Sequence, residues 1–549
     1  MSRGKRGVTS PWRALLVLCV ANFLILLDTT IVTTAAPEIM RTLDAGIDEM
    51  LWVLNAYLLT FASLLIVCGR LGDVAGPRTV FAWGLVIFTV ASLLCAVAQT
   101  PEQLVAARVG QGLGAAALVP QALVLITVLF PADRRGAAFG VFTATAGIAA
   151  VSGPTLGGFL ITATGWESIF YLNVPVGLAG LVLAFRFVPD LRPARAHSFD
   201  VVGVTLATAG LVGIVYGLVE GQRHDWGPVA GPVTIPRVFA AAVAVLAAFV
   251  LWERRQPEPL VPGRLFRDRN FGLATCITLV TSFSLYGLLL VFVIETQTLL
   301  GMSPLRSGVA ALPLTLSLSA VAPVAGRLAD RVGGRYPLAA GLVLYAAGVL
   351  GLAFVPTTSS TGTTFILPML LVGLGMGLTI APATTEAMRS VEPRLAGAAS
   401  GVLNTARQLG AALGAAVIGA VLQNRLVEAL HREAAERAGR LPPSARASYL
   451  SGFDEAAAAG LHLGRGQHGG VGASEDLPPG LAERFAALVR EAFGQGFVAA
   501  TRPTLSVVAV VLVAGAVAAV FVERRPAGPG DRSPARARED AAQPRRAAN

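Results

Sequence analysis

The chain has 549 residues, 54% of them hydrophobic and only 14% charged, with 60 glycines and a mean hydropathy of +0.66. A soluble domain is nearer one quarter charged, so these figures exclude a soluble enzyme, a coiled coil and a disordered chain, and leave a polytopic membrane protein. The net charge of +10 invites a nucleic-acid reading, which the positions of the basic residues decide. Lys5 is the only lysine, so nearly all of the base is arginine. The four cysteines (Cys19, Cys68, Cys95 and Cys276) lie in apolar stretches without a CxxC pair. They read as buried small hydrophobes, not as a metal site or a disulfide framework.

Crossing the hydrocarbon core takes about 20 apolar residues. Fourteen such runs are expected at 13–35, 50–69, 79–98, 103–128, 137–161, 167–187, 199–220, 234–252, 271–295, 304–326, 337–356, 364–388, 396–422 and 499–522. The first follows MSRGKRG, a signal-peptide-like start, but it is too long for one and contains Asp28, so it reads as an uncleaved span.

Cytoplasmic loops carry the excess of arginine and lysine. With the N-terminus inside, 28 of the 43 basic residues become cytoplasmic, and the short outer loops keep only Arg41, Arg223, Arg237 and Arg306. The +10 charge is then a topological label, and no nucleic-acid partner is expected. The C-terminus also falls inside. The expected division is a cytoplasmic start 1–12, a six-span bundle 13–190, two extra spans 199–253 and a second bundle 271–522. The second bundle includes an outer segment 423–498, and the tail 523–549 looks disordered. The outer segment mixes an amphipathic helix, with Leu481, Phe485, Leu488 and Ala492 on one face, with a Gly-rich linker. A small cap on the outer surface and a passive linker both remain open for it.

An internal repeat divides the spans. GRLGDVAGPR at 69–78 recurs as GRLADRVGGR at 326–335, offset by 257 residues. GLG at 112–114 recurs at 373–375, and AFGVF at 138–142 is echoed by ASGVL at 399–403, both offset by 261. Spans 1–6 and 9–14 therefore look like two copies, with spans 7 and 8 inserted. Paired bundles place a cavity at their interface near the bilayer midplane and move by rocking. Each repeated loop must turn tightly, which Gly69, Gly72 and Gly76 permit in one and Gly326, Gly333 and Gly334 in the other. Asp73 and Asp330 can accept from free N–H groups at a helix start or pair with arginine. Arg78, Arg331 and Arg335 supply positive charge nearby. Such a relay can hold in one arrangement of the bundles and break in another, which makes these loops a candidate conformational latch.

Several stretches resemble one family. The repeated loops are similar to the G-x-L-x-D-x-x-G-x-R/K motif of the major facilitator superfamily. LDTTIV at 27–32, WVLNAYLL at 52–59, RVGQGLGAA at 108–116, GIAAVSGPTLGG at 147–158, NVPVG at 173–177 and LNTARQLGAALG at 403–414 resemble motifs of its fourteen-span drug:proton antiporters. The resemblance covers nearly the whole chain except 423–498 and the tails. It implies an all-α fold of two six-helix bundles plus two inserted helices, in the plasma membrane of a bacterium. It also implies export of an amphipathic, often cationic, drug or antibiotic in exchange for protons, by a monomer. Protons serve as the coupling ion and no other cofactor is expected. Thr33 stands where relatives often have asparagine, and Glu295 near a common aromatic position, so the cavity is expected to be more acidic than usual.

Asp28 is a carboxylate inside an apolar span, where such groups usually face a cavity and act. A structural hydrogen bond between spans is its other reading. Arg108 lies at a depth within about 3 Å of it along the membrane normal, and the resemblance assigns that arginine to proton exchange with an acidic partner. A buried structural ion pair is the alternative. The second copy lacks this arginine, since the offset of 261 lands on Met369. Glu295, near the outer end of its span, is a third candidate for proton coupling, with an interfacial, solvated residue as its other reading. Asp28, Glu295, Gln297, Asn404, Arg407 and Gln408 are candidates to line a substrate cavity, with hydrogen bonding between helices the other reading of Arg407 and Gln408. Gly147, Gly153, Pro154, Gly157 and Gly158 form the antiporter motif, in which proline interrupts the helical ladder and small residues permit close packing.

No P-loop is present, and the five histidines lack ligand spacing, so neither ATP chemistry nor a metal is expected. The expected function is secondary active export without enzymatic chemistry. Uptake or uniport of a metabolite on the same fold is one alternative, against which the Gly-Pro motif argues. A non-transporting receptor is the other, against which the short inner loops argue.

Overall fold

The computed structural model describes residues 10–190, 200–221, 224, 226–257, 259–389, 391–392, 395–458 and 479–523. The basic start MSRGKRG, the Gly-rich stretch 459–478 and the tail from residue 524 lie outside the described residues.

The first half of the chain holds α1 (Pro11–Thr42), α2 (Ile47–Ala75), α3 (Pro77–Ala96), α4 (Pro101–Leu129), α5 (Arg135–Thr164), α6 (Glu167–Tyr171) and α7 (Asn173–Phe187). Helices α8 (Val201–Glu220) and α9 (Ile235–Glu253) follow, joined by a hairpin of β1 (Pro228–Ala230) and β2 (Val233–Thr234). The second half holds α10 (Arg264–Arg267), α11 (Arg269–Ile294), α12 (Pro304–Val332), α13 (Arg335–Phe354), α14 (Ile366–Arg389), α15 (Ala396–Ala438), α16 (Pro443–Ala458) and α17 (Pro479–Val520). Among the described residues, 13 helical segments are long and apolar enough to cross a membrane. The remaining long helix, α5, has 30 residues and no charged side chain after Arg135. At 1.5 Å per residue it is about 45 Å long and also suffices.

Within the first half, α2 packs on α4, α3 on α4 and α7, and α1 on α5. The second half repeats this plan, with α11 on α15 and α17, and α13 on α14 and α17. The halves join chiefly through α2 with α15 and α5 with α12, and to a lesser extent through α4 with α15 and α5 with α14. The inserted α8 packs on α9, α2 and α15 at the periphery. Asp200 ties the insert together by accepting from Gly203 N and from the Trp252 indole, both at 2.9 Å. Among the described residues, Arg134 and Arg135, Arg254 and Arg255, Arg264, Arg267 and Arg269, and Arg327, Arg331 and Arg335 sit at one end of the bundle, called the arginine-rich end below.

The amphipathic helix expected in the segment 423–498 is present and belongs to a larger helical unit, while the Gly-rich stretch lies outside the described residues. Helix α15 continues without a break to Ala438, and α17 begins at Pro479, far before the apolar run that starts at 499. With α16 they form a three-helix extension at the end opposite the arginine-rich one. Its core is continuous with that of the second half and includes Leu426, Leu430, Ala434, Tyr449, Phe453, Phe485, Leu488 and Phe493. The Tyr449 ring meets Phe485 edge-on at 5.3 Å, and its hydroxyl donates to the Leu488 carbonyl at 3.2 Å. Arg437 pairs with Glu433 and, at 3.2 Å, with Glu491.

Candidate functional site

The first half buries one polar cluster, built by five helices around Asp28. Thr100 and Pro101 start α4, and Arg108 and Gln111, three residues apart, share one face of it. The sixth span is split at Leu172, so α7 begins at Asn173 and turns that amide inward. The Asp28 carboxylate accepts from Arg108 Nη1 at 2.5 Å, and from Gln111 Nε2 and Asn173 Nδ2 at 3.1 Å each. Arg108 also donates to the Val53 carbonyl at 3.2 Å and to Gln111 Oε1 at 2.7 Å. Its guanidinium lies over the Tyr57 ring, 4.3 Å from the centroid. Ser92 Oγ accepts from Gln111 at 2.6 Å and from Asn173 at 3.2 Å. Asp28 and Arg108 are 0% and 1% exposed. The expected meeting of the two charges therefore occurs, but Asp28 is sealed within the first half. It does not line an open cavity in this conformation, because five helices close over it.

Gln111, Asn173, Ser92 and Tyr57 were not singled out as site residues. Gln111, Asn173 and Tyr57 fall inside motifs quoted above, yet their convergence depends on how four helices pack.

The repeated loops meet the opposite half through backbone, not through arginine. Asp73, at the end of α2, accepts from Gly397 N at 3.0 Å and Ala398 N at 3.2 Å, which start α15 in the second half. Asp330, at the end of α12, accepts from Gly136 N at 2.9 Å and Ala137 N at 3.1 Å, which start α5 in the first half. Each carboxylate thus caps a helix of the other copy, where free N–H groups and the helix dipole favour negative charge. A side chain on Gly69 would strike the backbone of Gly397, and one on Gly326 that of Gly136. Gly76 and Gly333 turn the chain with φ of 90° and 84°, values that glycine adopts freely. The arginines of the latch behave otherwise than expected. Arg78 donates to the Phe185 carbonyl at 2.9 Å and covers the Phe185 ring, within its own half. Arg335 lies over Tyr336, and Arg331 points to solvent. Their long side chains find partners or water locally, whereas a short aspartate reaches the neighbouring helix start.

Contacts between the halves thus gather at the arginine-rich end. Toward the other end, α5 leaves α12 and turns to α1. Gly147 packs on Thr315 and Ser319 of α12, while Gly153 and Gly157 pack on Thr30 and Ile31 of α1. Helix α5 runs unbroken through position 154. Only the backbone of Pro154 is described, and its missing N–H does not end the helix.

The remaining cavity candidates separate. Glu295 begins a π-helical turn that ends α11 and is 3% exposed. It sits on the face that carries Leu288, Val291 and Phe292, core residues of the second half. That face is turned away from Tyr286, nine residues earlier, so Glu295 does not join Asp28 or the space between the halves. The expected increase in cavity acidity is therefore absent in this conformation. Asn404 is buried and donates to the Ser400 carbonyl of its own helix at 2.9 Å, so it too leaves the cavity set. Gln297 shares the face of Tyr286, and Arg407 and Gln408 are partly exposed on α15. Glu386 belongs to the second half's own structure, accepting from Gly334 N at 2.7 Å. Glu220 is buried and accepts from Asn55 of α2 at 3.4 Å.

The profile of the Major Facilitator Superfamily matches residues 18–415. The chain is 37% identical to the tetracenomycin C resistance and export protein of Streptomyces glaucescens, covering 77% of this chain and 78% of that protein. It is 39% identical to a puromycin resistance protein of Streptomyces alboniger, covering 75% and 81% respectively. Among solved structures, a proton:xylose symporter superposes with a TM-score of 0.55 at 14% identity, over 75% of this chain and 88% of that one, which shows a shared fold. Matched halves, mirrored caps, membrane-spanning helices and sequence agree: the chain is a multi-pass protein of the plasma membrane and belongs to the major facilitator superfamily.

Proposed function

We propose that the protein exports an amphipathic antibiotic or drug in exchange for protons, by alternating rotation of its two halves. The observation that carries this reading is the sealed Asp28–Arg108 pair. A charge pair in a membrane interior is costly unless its partners are well placed. Protonation of Asp28 converts the neutral cluster into one of charge +1, with Arg108 left to Gln111 and the Val53 carbonyl. That change gives the first half two electrostatic states that differ by one proton. The export direction is supported by relatives whose names denote resistance and export. We place the arginine-rich end in the cytoplasm, on the charge asymmetry of the loops. This conformation is then closed inside and held by the Asp73 and Asp330 caps. One proton entering across about 100 mV supplies about 2.3 kcal/mol, a gradient of roughly fifty-fold without ATP.

The test is substrate-driven proton flux in proteoliposomes. Asp28→Asn should abolish it. Because that change also leaves Arg108 buried without its counter-charge, worth about 3–5 kcal/mol of stability, the double variant Asp28→Asn with Arg108→Gln is the decisive one. It should regain thermal stability and still carry no coupled protons. Normal flux in the double variant would remove the proton role of the pair.

A further inference from the structure

The second half holds a charge that the first half's chemistry does not use. Arg407 sits mid-span on α15. Among the described residues no carboxylate pairs with it, and no hydrogen bond is made by its guanidinium. Leu409, two residues on, packs with Leu211 and Phe249 of the peripheral helices α8 and α9. At 100° per residue Arg407 points about 160° away from Leu409, toward the interior. It is partly exposed on that side.

Tyr286 of α11 lies on the same side of the second half. It is about 180° around the helix from Ile277, and away from Leu288 and Val291, all core residues of the second half. It is 46% exposed. Leu279 and Phe283 of α11 lie against Gly410 and Gly414 of α15, which sets Tyr286 about ten residues, roughly 15 Å, further along the bundle than Arg407. Gln297 on the same face of α11 and Gln408 beside Arg407 add neutral hydrogen-bonding groups. The acids that would neutralise Arg407 are engaged elsewhere. Asp28 is held by Arg108, Glu295 is turned into the second half's core, Glu220 and Glu386 are bonded within the scaffold.

An unpaired cation in a membrane interior is expensive and marks a functional position. A planar guanidinium suits a carboxylate or ionised phenol bidentately, and the Tyr286 ring, further along the same side, offers a flat apolar surface. We infer that Arg407 forms a subsite for an organic anion whose apolar body extends along the bundle toward Tyr286, so that the transported substrate is an amphiphile with an acidic group at one end of a flat apolar body. This assignment rests on the export reading for its transport consequence, and on the geometry alone for binding. It departs from the cationic substrate that the family resemblance implied.

The test uses three probes with one apolar body: 1-pyrenebutyrate, its uncharged methyl ester, and the corresponding trimethylammonium cation. Binding is read by fluorescence on the full chain in nanodiscs. The acid should bind about tenfold or more tighter than the ester. Arg407→Gln should erase that preference, and Arg407→Lys should restore part of it. Arg306→Gln, an exposed arginine at the far end, should leave it intact. Melting temperature and monodispersity of each variant separate lost binding from lost folding. Equal binding of acid and ester by the wild type, or a preference that survives Arg407→Gln, would overturn the subsite. Proton-driven efflux of all three probes without preference would overturn it too and leave the export reading standing. Charge-selective binding lost in Arg407→Gln, without proton-driven flux of any probe, would support the subsite and remove the export reading.

Discussion

Replacing the two capping aspartates should unlock the arginine-rich end by a calculable amount. Each carboxylate accepts two backbone N–H bonds from the opposite half. Asn keeps one acceptor oxygen and no charge. A hydrogen bond to a charged group contributes about 1.5–3 kcal/mol net, a neutral one about 1. When the halves separate, water satisfies the same groups, as it does at a lost helix cap, where the measured cost is about 0.5–2 kcal/mol. About 2 kcal/mol per site is therefore a reasonable figure, or roughly 30-fold in the closed-to-open ratio. The two sites share no partners, so the effects should add to about 4 kcal/mol. A starting ratio of about 100:1 then becomes about 3:1 after one substitution and about 1:9 after both. Spin labels at Arg134→Cys and Arg331→Cys, exposed positions at this end in opposite halves, would report the distance once Cys19, Cys68, Cys95 and Cys276 are replaced. Asp73→Asn should shift the distribution more than Asp330→Asn, because Asp73 is more buried and Arg70 lies 3.9 Å from its carboxylate. An unchanged distance distribution in the double variant would refute the idea that these caps hold the end closed.

Two further substitutions probe packing. Gly397→Val places a side chain against the Gly69 backbone and Asp73, so it should open the same end without removing any charge, visible in the same label distances. At the far end, Tyr449→Phe removes the bond to the Leu488 carbonyl and should cost about 1 kcal/mol, read as a lower melting temperature or faster proteolysis of the three-helix extension. Burial pushes the Tyr449 hydroxyl up to about 12 from 10. A raised pKa adds stability below the unfolded value that disappears as pH climbs through the folded one. The extension should therefore loosen between pH about 10 and 12 in the wild type, and this step should be missing from Tyr449→Phe.

Most of the fold was legible because a bilayer demands runs of about 20 apolar residues, which sequence displays directly. The long end of α15 was not, because a hydropathy reading stops at the first charges while the helix goes on. Leu426, Leu430, Ala434 and Ala438 follow helical spacing among arginines and glutamates, and that periodicity was the available signal. The chemistry of Asp73 and Asp330 was also legible, since a carboxylate seeks a helix start. Its owner was not, because Gly136 and Gly397 lie 194 and 324 residues from the acids they meet. The repeat contained the hint, as Gly69 and Gly326 are one pair of equivalent positions and Gly136 and Gly397 another. For Glu295, depth in a span is legible, but facing depends on helix phase relative to neighbours, which no single segment specifies.

The asymmetry between the halves leads to an electrical prediction. The first half keeps its charges paired, while the second has Met369 in place of Arg108 and presents Arg407 alone. If one proton enters as one substrate leaves, the charge moved depends on the substrate. A monovalent cation exchanged for a proton moves none, a neutral molecule moves one, and a monovalent anion moves two. At about 2.3 kcal/mol per charge per 100 mV, exchange with an anion gains about 4.6 kcal/mol from the potential alone. That corresponds to a gradient of roughly 2,000-fold, against about 50-fold for a neutral substrate. Proteoliposomes with a potassium diffusion potential and no pH difference should therefore drive export of 1-pyrenebutyrate strongly, its ester weakly and the trimethylammonium analogue not at all. Reversing the sign of the potential should reverse the first. Equal rates for the acid at zero and at about 100 mV would show that no net charge crosses with it, and the pairing of a proton site in one half with an anion site in the other would fail.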